Sequence, residues 1–243
     1  MKRRFEMLTG ALALVLLAAG LTPGVSTAQT ASLCTAATSC FVFTPAYVAG
    51  PKSFDFYLDG KLVAGNVGLS NSSAVIPTAP GTHWLQLPPA GSAPSAAKIA
   101  VSFTFETGKT YDLVLRTGSN GPELRAFAID ATAPAAGLNR SRIVNVWTGS
   151  GSLDVELGDP GDKTGGGADA SFANVGEADV SDYVEAGIFS KHAAVSIFTA
   201  GGADLKATPQ LRLCPADSIC SYVLIGPAGT SKTVQYSLAV FPV

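Results

Sequence analysis

This 243-residue sequence is poor in charge, histidine and helical periodicity, and each deficit argues against a class of protein. Only 14% of the residues are charged, with 16 basic against 18 acidic, so no basic stripe is available to bind nucleic acid. There are two histidines and no Gly-x-Ser-x-Gly motif, which argues against a serine hydrolase. Beyond residue 28 no capped helical periodicity persists over eleven or more residues, so an all-β protein is expected.

The one long apolar run lies at the N terminus. Residues 2–4 are basic, Leu8–Leu21 is apolar, and the small residues Ser26 and Ala28 suit a cleavage site. The run is shorter than the about 20 residues that span a bilayer, so residues 1–28 are predicted to be a cleaved signal peptide. Cleavage leaves 13 basic and 17 acidic residues and no transmembrane segment. We expect a secreted or extracytoplasmic, envelope-associated protein.

The four cysteines are expected to form disulfides, because export places them in an oxidising compartment. They occur as two Cys-x5-Cys pairs, Cys34 with Cys40 and Cys214 with Cys220. Pairing within each short segment is favoured by proximity, whereas a long-range pairing would stabilise the fold more by loop entropy. All three possible connectivities stay open at this point, with the local one preferred.

Short runs of alternating or β-branched residues, bounded by Gly, Pro, Asn or Asp, predict many strands. They are Phe54–Asp59, His83–Leu87, Lys98–Glu106, Tyr111–Leu115, Arg142–Trp147, Leu153–Leu157, Ala193–Phe198 and Val234–Phe241. The segment GPAGTSKT, Gly226–Thr233, is one residue away from a phosphate-binding P-loop. A strand rather than a helix follows it, so a hairpin loop is predicted instead.

The sequence also contains an internal correspondence. SFDFYLDG at Ser53–Gly60 corresponds to SLDVELGD at Ser152–Asp159, and GNVGLSNSSAVI at Gly65–Ile76 to ANVGEADVSDYV at Ala173–Val184. We therefore predict two tandem β-sandwich repeats, at residues 29–133 and 141–243, joined by an Ala- and Pro-rich linker at 134–140.

These residues resemble the bacterial domain of unknown function 4397. The resemblance lies in FDFYLDG, in the PGTHWLQLPPAGS segment and in GKTYDLVL, and it weakens in the second copy. It implies secreted or surface-attached immunoglobulin-like or transthyretin-like sandwiches. It implies no activity, cofactor or catalytic residue.

Several residue groups are compatible with chemistry, each with a structural alternative. His83 and His192 are interpreted as strand-entry residues rather than acid–base or metal groups. Asp159, Asp162 and Asp169 lie in a Gly-rich insertion that could bind calcium, although a solvated loop is preferred. The carboxylates of Asp55, Asp112, Asp154 and Glu156 could serve a glycoside hydrolase, but outward positions on amphipathic strands explain them as well.

Four aromatic residues could form a sugar-stacking platform or belong to the core: Tyr57, Trp84, Tyr111 and Trp147. The leading hypothesis is a non-catalytic binding or adhesion protein without a cofactor, whose partner is an envelope polysaccharide or a surface protein. The alternative is a structural, self-assembling surface protein whose exposed edge strands pair with other chains. A carboxylate-dependent hydrolase is the third hypothesis.

Overall fold

The computed structural model describes residues 34–46, 49–69, 71–158, 168–187, 194–202, 205–207, 214–226 and 235–242. They lie within one compact unit, Ser32–Val243, and nearly all of its regular structure is β-strand. Among these residues no helix has the length and hydropathy that a membrane span requires. The predicted signal peptide, residues 1–28, lies outside the described residues.

The first half of the chain forms a two-sheet sandwich. Its strands are β1 Ser39–Ala46, β2 Ser53–Leu58, β3 Lys61–Gly68, β4 Ile76–Thr78, β5 Gly81–Leu87, β6 Ile99–Phe105, β7 Thr110–Gly118 and β8 Gly121–Ile129. One sheet has the order β4-β1-β7-β8 and the other the order β3-β2-β5-β6. A 3-10 turn at Pro94–Ala96 lies between β5 and β6.

Apolar side chains at alternate strand positions fill the space between these two sheets. Phe54 and Phe56 of β2, with Leu85 of β5, face Phe41 of β1 and Leu113 of β7, and all five are completely buried. The alternation in β2 and β5 that predicted strands therefore corresponds to one side of a real core.

The second half forms another sandwich with the same strand order. Its strands are β9 Asn139–Asn145, β10 Leu153–Gly158, β11 Ala168–Val175, β12 Asp179–Val180, β13 Val184–Ala186, β14 Ala194–Thr199, β15 Leu205–Ala207, β16 Ser218–Ile225 and β17 Gln235–Pro242. One sheet runs β12-β9-β16-β17, with β13 also paired to β9, and the other runs β11-β10-β14-β15. The predicted all-β sandwich class is confirmed.

The sheets β4-β1-β7-β8 and β12-β9-β16-β17 pack against each other and form a four-layer molecule. Two apolar clusters contain residues of both sheets: Val114 and Phe127 pack with Val144 in one, and Val42 packs with Phe241 in the other. Each of these two sheets is therefore buried on both faces, and β1 and β16 have no exposed residue along their length.

Each sandwich also contains a parallel pair, which the prediction of plain sandwiches did not include. β1 runs parallel to β7 and β9 runs parallel to β16. The linker prediction was also too long, because Asn139 and Arg140 pair with β16 as the first residues of β9. β16 and β17 form an antiparallel pair, so GPAGTSKT joins two strands of a hairpin.

The first glycine of GPAGTSKT has a packing role. A Cβ atom at Gly226 would lie 2.5 Å from the indole ring of Trp147. Close approach of an aromatic ring to the backbone therefore accounts for this glycine without a phosphate. The rest of the segment, Pro227–Thr233, lies outside the described residues.

Both disulfides have the local connectivity that was preferred from the sequence. Cys34 is joined to Cys40 at the start of β1, and Cys214 is joined to Cys220 at the start of β16. The half-cystines Cys40 and Cys220 are completely buried at the ends of central strands. Each disulfide therefore attaches the segment before a central strand to that strand.

Candidate binding surface

The four aromatic residues considered for a platform fall into two groups. Trp147 is 2% exposed and Tyr111 is 7% exposed, and both belong to sandwich cores. Trp84 of β5 is 44% exposed, and Tyr57 of β2 is half-buried. Two of the four candidates therefore remain accessible to a ligand.

Trp84 and Tyr57 share the outer face of the sheet β3-β2-β5-β6. Tyr57 lies opposite Gln86 of β5 and, on its other side, opposite Leu62 of β3. Trp84 is two residues from Gln86 on the same face, which makes it a diagonal neighbour of Tyr57 at about 7–8 Å. Leu62 is 48% exposed. We call Tyr57, Leu62, Trp84 and Gln86 the aromatic face.

The turn between β2 and β3 holds Trp84 in place. Asp59 and Gly60 have φ values of 49° and 77°, as a two-residue type I′ turn requires. Asp59 Oδ1 accepts a hydrogen bond from the Trp84 backbone N–H at 2.8 Å, and Asp59 Oδ2 lies 2.6 Å from His83 Nδ1. These bonds, first that from Trp84, lower the pKa of Asp59.

His83 is a strand-entry residue that connects two loops. Its Nε2 lies 3.0 Å from the carbonyl oxygen of Ala79, while its Nδ1 contacts Asp59. The ring also meets Phe105 edge-on, with the centroids 5.7 Å apart. These contacts are the kind expected for a strand-entry residue with a structural role. The other histidine, His192, lies outside the described residues.

The strand beside Trp84, β6, has small side chains on the same face of the sheet. Ala100, Ser102 and Thr104 of β6 point to the same side as Trp84 and are exposed. Ser102 lies directly opposite Trp84. An extended ligand can therefore lie across β5 and β6 without meeting a bulky side chain, with hydroxyl groups available for hydrogen bonds.

The outer face of the second sandwich differs at the corresponding register positions. In the pairing of β10 with β14, Glu156 lies opposite Ser196 where the first sandwich has Tyr57 opposite Gln86. Ala194 occupies the register position of Trp84. Aromatic residues at these positions therefore belong to the first sandwich alone.

Asp55 and Asp154, two of the hydrolase candidates, have the same structural role in the two sandwiches. Asp55 accepts hydrogen bonds from the backbone N–H groups of Asn66, at 2.7 Å, and Gly91, at 2.8 Å. Asp154 accepts them from Asn174, at 2.7 Å, and Gly201, at 2.8 Å. All four donor residues have positive φ values. We call each arrangement a carboxylate clamp.

Asp112 is buried between the two sandwiches, so its predicted outward position does not face solvent. Its Oδ1 accepts a bond of 3.3 Å from the Thr44 hydroxyl, and its Oδ2 has no partner among the described residues. Burial raises the pKa of Asp112 to about 6, an effect that Arg142 opposes. Arg142 itself donates to Ser221 Oγ at 2.9 Å and to the Ala128 carbonyl at 2.6 Å.

The hydrolase candidates are not gathered at one cleft. The first core separates Asp55 from Asp112, because they lie on the outer faces of opposite sheets. Asp154 and Glu156 share a face of β10, but both oxygens of Asp154 belong to its clamp. Glu156 is half-buried and lies between Ser171 and Ser196.

The calcium candidates are only partly within the described residues. Asp159 and Asp162 lie outside them, and Asp169 is in β11. In the described part of the chain no three His, Cys, Asp or Glu side chains are grouped as a metal site would need. No fit to calcium is shown, and the suggestion stays a prediction.

A shallow groove opens beside β3 in the first sandwich and another beside β11 in the second. The first has a volume of about 550 Å³ and is lined by β3 and residues 71–76, and the second, of about 380 Å³, is lined by β11 and residues 179–184. Their equivalent positions follow from the shared strand order. The first is lined by no aromatic residue and the second by one, the buried Phe172, so neither offers the exposed aromatic surface found on β2 and β5.

Part of the chain matches a family that is described as a domain of unknown function. Residues 46–156 match the model of DUF4397, a domain of unknown function, which confirms the family resemblance found in the sequence. The match runs from the end of β1 into β10 and covers one stretch rather than two. The tandem repeat of this family therefore stays a prediction, supported by the shared strand order and the two carboxylate clamps.

Comparison with other proteins adds little. No curated protein matches the chain. A solved structure titled the Bacillus anthracis TIE protein aligns with 78% of the chain at 9% identity, with a TM-score of 0.24. The aligned region is 34% of that chain, so this protein spans about a third of the length of the structure that it matches.

Sequence reasoning missed three members of this site: Asp59, Leu62 and Gln86. The Asp59-Gly60 dipeptide is a strong hairpin signal and, with the alternation in β2, could have placed Leu62 opposite Tyr57. The pairing of Tyr57 with Gln86 depends on the register of β2 and β5, which are 22 residues apart in sequence. That register was not readable from local pattern.

Proposed function

We propose that this protein is a non-catalytic, exported binding protein that attaches to envelope polysaccharide through its aromatic face. The observation that carries the proposal is the 44% exposure of Trp84 beside Tyr57 and the 48% exposed Leu62 on one face of the sheet. Large aromatic side chains usually bury most of their surface in the fold. An exposed tryptophan held by a hydrogen-bonded turn is therefore best explained by a ligand.

Sugar rings suit this surface chemically. The apolar C–H face of a pyranose packs on an aromatic ring, and its hydroxyl groups seek hydrogen bonds at the rim. Trp84 and Tyr57 supply the rings, and Gln86 and Ser102 supply amide and hydroxyl groups close by. The Gln86 amide donates to the Pro94 carbonyl at 3.3 Å, which orients it across the face.

The arrangement of the carboxylates supports binding over hydrolysis. General acid–base cleavage of a glycoside needs two carboxyl groups on either side of one bond. Asp55 and Asp154 are held in clamps and Asp112 is enclosed between the sandwiches. None of these three carboxylates borders the aromatic face with an oxygen available for acid–base work.

Co-sedimentation with isolated bacterial cell walls tests the proposal. The full chain is expressed with its own N-terminal segment and purified in the form that the cell exports. We expect the wild type to sediment with the walls and Trp84→Ala to bind roughly tenfold more weakly or worse, as for a central interface aromatic. Arg125→Ala is the matched control, because Arg125 is 49% exposed on β8 in another sheet.

Two outcomes would reject the proposal. Wild-type protein that stays in the supernatant would contradict wall binding. Equal retention of Trp84→Ala and the wild type would contradict binding through the aromatic face. Walls stripped of protein and walls stripped of polysaccharide identify which component binds. Parallel samples with calcium or a chelator test the Asp159, Asp162 and Asp169 prediction separately.

A further inference from the structure

We propose that β6 pairs with β6 of a second copy of this chain, so that two first sandwiches share one continuous sheet. β6 is the edge of the sheet β3-β2-β5-β6 and has no strand on its outer side among the described residues. It is seven residues long and pairs with β5 without a bulge. This proposal rests on the edge strand alone and does not depend on polysaccharide binding.

Natural sheets protect their edges with charge, proline, glycine, bulges or short strands, because a bare edge pairs with other chains. The sequence of β6, IAVSFTF, contains none of these devices. The other described edge strands each have at least one: Lys61 and a bulge in β3, Pro77 in β4, Glu123 in β8, a bulge in β11, Asp179 in β12, Glu185 in β13, Lys206 in β15 and Pro242 in β17.

The side chains of β6 are complementary to a second β6 in antiparallel register about Ser102. In that register Val101 lies opposite Phe103 of the second copy, Ala100 lies opposite Thr104, and Ser102 lies opposite itself. The apolar positions face the core side and the small ones face outward in both copies. Val101, which is 37% exposed, would be covered.

Charge complementarity selects the same register. Lys98 directly precedes β6 and Glu106 directly follows it, and both are exposed. An antiparallel pair centred on Ser102 sets Lys98 of each copy opposite Glu106 of the other, which gives two ion pairs. Neither side chain has an ion pair with another residue of the described ranges. A partner of unrelated sequence would not account for this symmetry.

Sedimentation equilibrium of the exported full chain over a concentration series tests the pairing. We expect the wild type to be a dimer. Ser102→Lys should dimerise at least about tenfold more weakly, because like charges would lie directly opposite each other at the two-fold axis. Ala126→Lys, an added charge at an exposed position of edge strand β8, is the control and should stay dimeric. Circular dichroism and denaturant unfolding verify that the variants fold.

A charge-reversal cycle tests the register. Lys98→Glu and Glu106→Lys should each weaken the dimer about fivefold, through two like-charge contacts at exposed positions, and the double variant should restore it. A wild type that is monomeric up to about 1 mM would overturn the proposal. A dimer insensitive to Ser102→Lys, or a double variant without recovery, would also overturn it.

Trp84→Ala separates this inference from the proposed function. The variant should dimerise normally while losing wall binding, because Trp84 lies on β5 and not on the edge strand that pairs. If walls bind nothing and the dimer forms, only the polysaccharide proposal fails. If the protein is monomeric and still binds walls through Trp84, only the dimer proposal fails.

Discussion

The two sandwiches of this chain share strand order and carboxylate clamps but differ on their outer sheets. Asp55 and Asp154 hold the same two kinds of backbone donor at the same distances, 2.7 and 2.8 Å. The outer faces of the same sheets differ: Tyr57 is paired with Gln86 in the first sandwich, and Glu156 is paired with Ser196 in the second. The clamp carboxylate fixes backbone N–H groups that have no partner in a strand ladder, so its identity is set by the fold. The outer face is turned to solvent or a ligand and not to the core, so the fold does not set the identity of its side chains.

This difference indicates where function is to be sought. Residues that stabilise the fold, such as the clamp carboxylates, are the same in both sandwiches. Residues that differ between the outer faces are not needed for the fold. The sheets β4-β1-β7-β8 and β12-β9-β16-β17 differ for another reason, since each must fit the other. Asp112 on one interacts electrostatically with Arg142 on the other, and Arg142 donates a hydrogen bond to Ser221.

Removal of the clamps should have the largest effect on stability. Asp55→Ala leaves the N–H groups of Asn66 and Gly91 without their charged acceptor, and Asp55 is only 6% exposed. We expect the free energy of unfolding to fall by about 4 kcal/mol, given 1.5–3 kcal/mol for a hydrogen bond to a charged group. Asp154→Ala should cost about half as much, because Asp154 is more exposed. Denaturant unfolding of both variants measures the difference.

Equal losses for the two clamp variants would contradict the role assigned to burial. A loss below about 1 kcal/mol in both would contradict the clamp itself. Asp55→Asn serves as the conservative control, because its amide oxygen can still accept one of the two bonds.

The buried carboxyl of Asp112 should make stability depend on pH. Its pKa is about 6 in the folded chain, against an ordinary value of 3.8. Between these pH values the native state keeps a proton that the unfolded chain has lost, so the free energy of unfolding falls as pH rises from about 4 to about 6. The full effect is about 3 kcal/mol. Denaturant unfolding at a series of pH values measures it.

Asp112→Asn should remove most of this slope and should be more stable than the wild type above pH 6. Asparagine keeps the shape of the neutral carboxyl and avoids the buried charge. An unchanged slope in the variant would show that another group titrates. A wild type whose stability rises over this range would contradict the assigned direction.

The two disulfides should contribute similarly, because each closes a loop with a sequence separation of six residues. Cys34→Ser with Cys40→Ser should lower the free energy of unfolding by about 2 kcal/mol. Cys214→Ser with Cys220→Ser should cost somewhat more, because both of those half-cystines are completely buried and Cys34 is not. Thermal unfolding of the two double variants tests the order, and the reverse order would contradict it.

The smallest stability effect is expected at the turn below the aromatic face. Asp59→Asn keeps a type I′ turn, since Asn-Gly favours it, and removes the charge that holds His83 and the Trp84 N–H. We expect little change in the free energy of unfolding, because Asp59 is exposed to solvent. Wall binding should weaken measurably because Trp84 is less well positioned. Binding equal to wild type would show that the turn does not position it.

Strands with one solvent face were the predictable part of this fold. β2, β5 and β6 alternate in sequence because one side packs on Phe41 and Leu113 and the other meets water. β1 and β16 were missed because they are buried on both faces, and their sequences, SCFVFTPA and SICSYVLI, have no alternation to detect. A sandwich-on-sandwich interface has no local signature.

The same limit applies to the candidate site. Asp112 was correctly placed on the outward side of β7, but only the second sandwich decides that this side is buried. Trp84 and Trp147 look alike in sequence, and the register of β5 and the packing of Gly226 separate them. The internal repeat places Asp55 and Asp154 at equivalent positions, so the two carboxylates of the clamps could be paired from sequence. The backbone N–H groups that they bind could not be predicted.

Tryptophan fluorescence during titration with solubilised wall polysaccharide tests the central claim most directly. Trp84 and Trp147 are the two tryptophans of the chain, one 44% exposed and the other 2% exposed. Binding at the aromatic face should shift the emission of the wild type to shorter wavelength, and Trp84→Phe, which retains Trp147, should show no shift. Binding without any change in emission, or an equal change in Trp84→Phe, would contradict the claim.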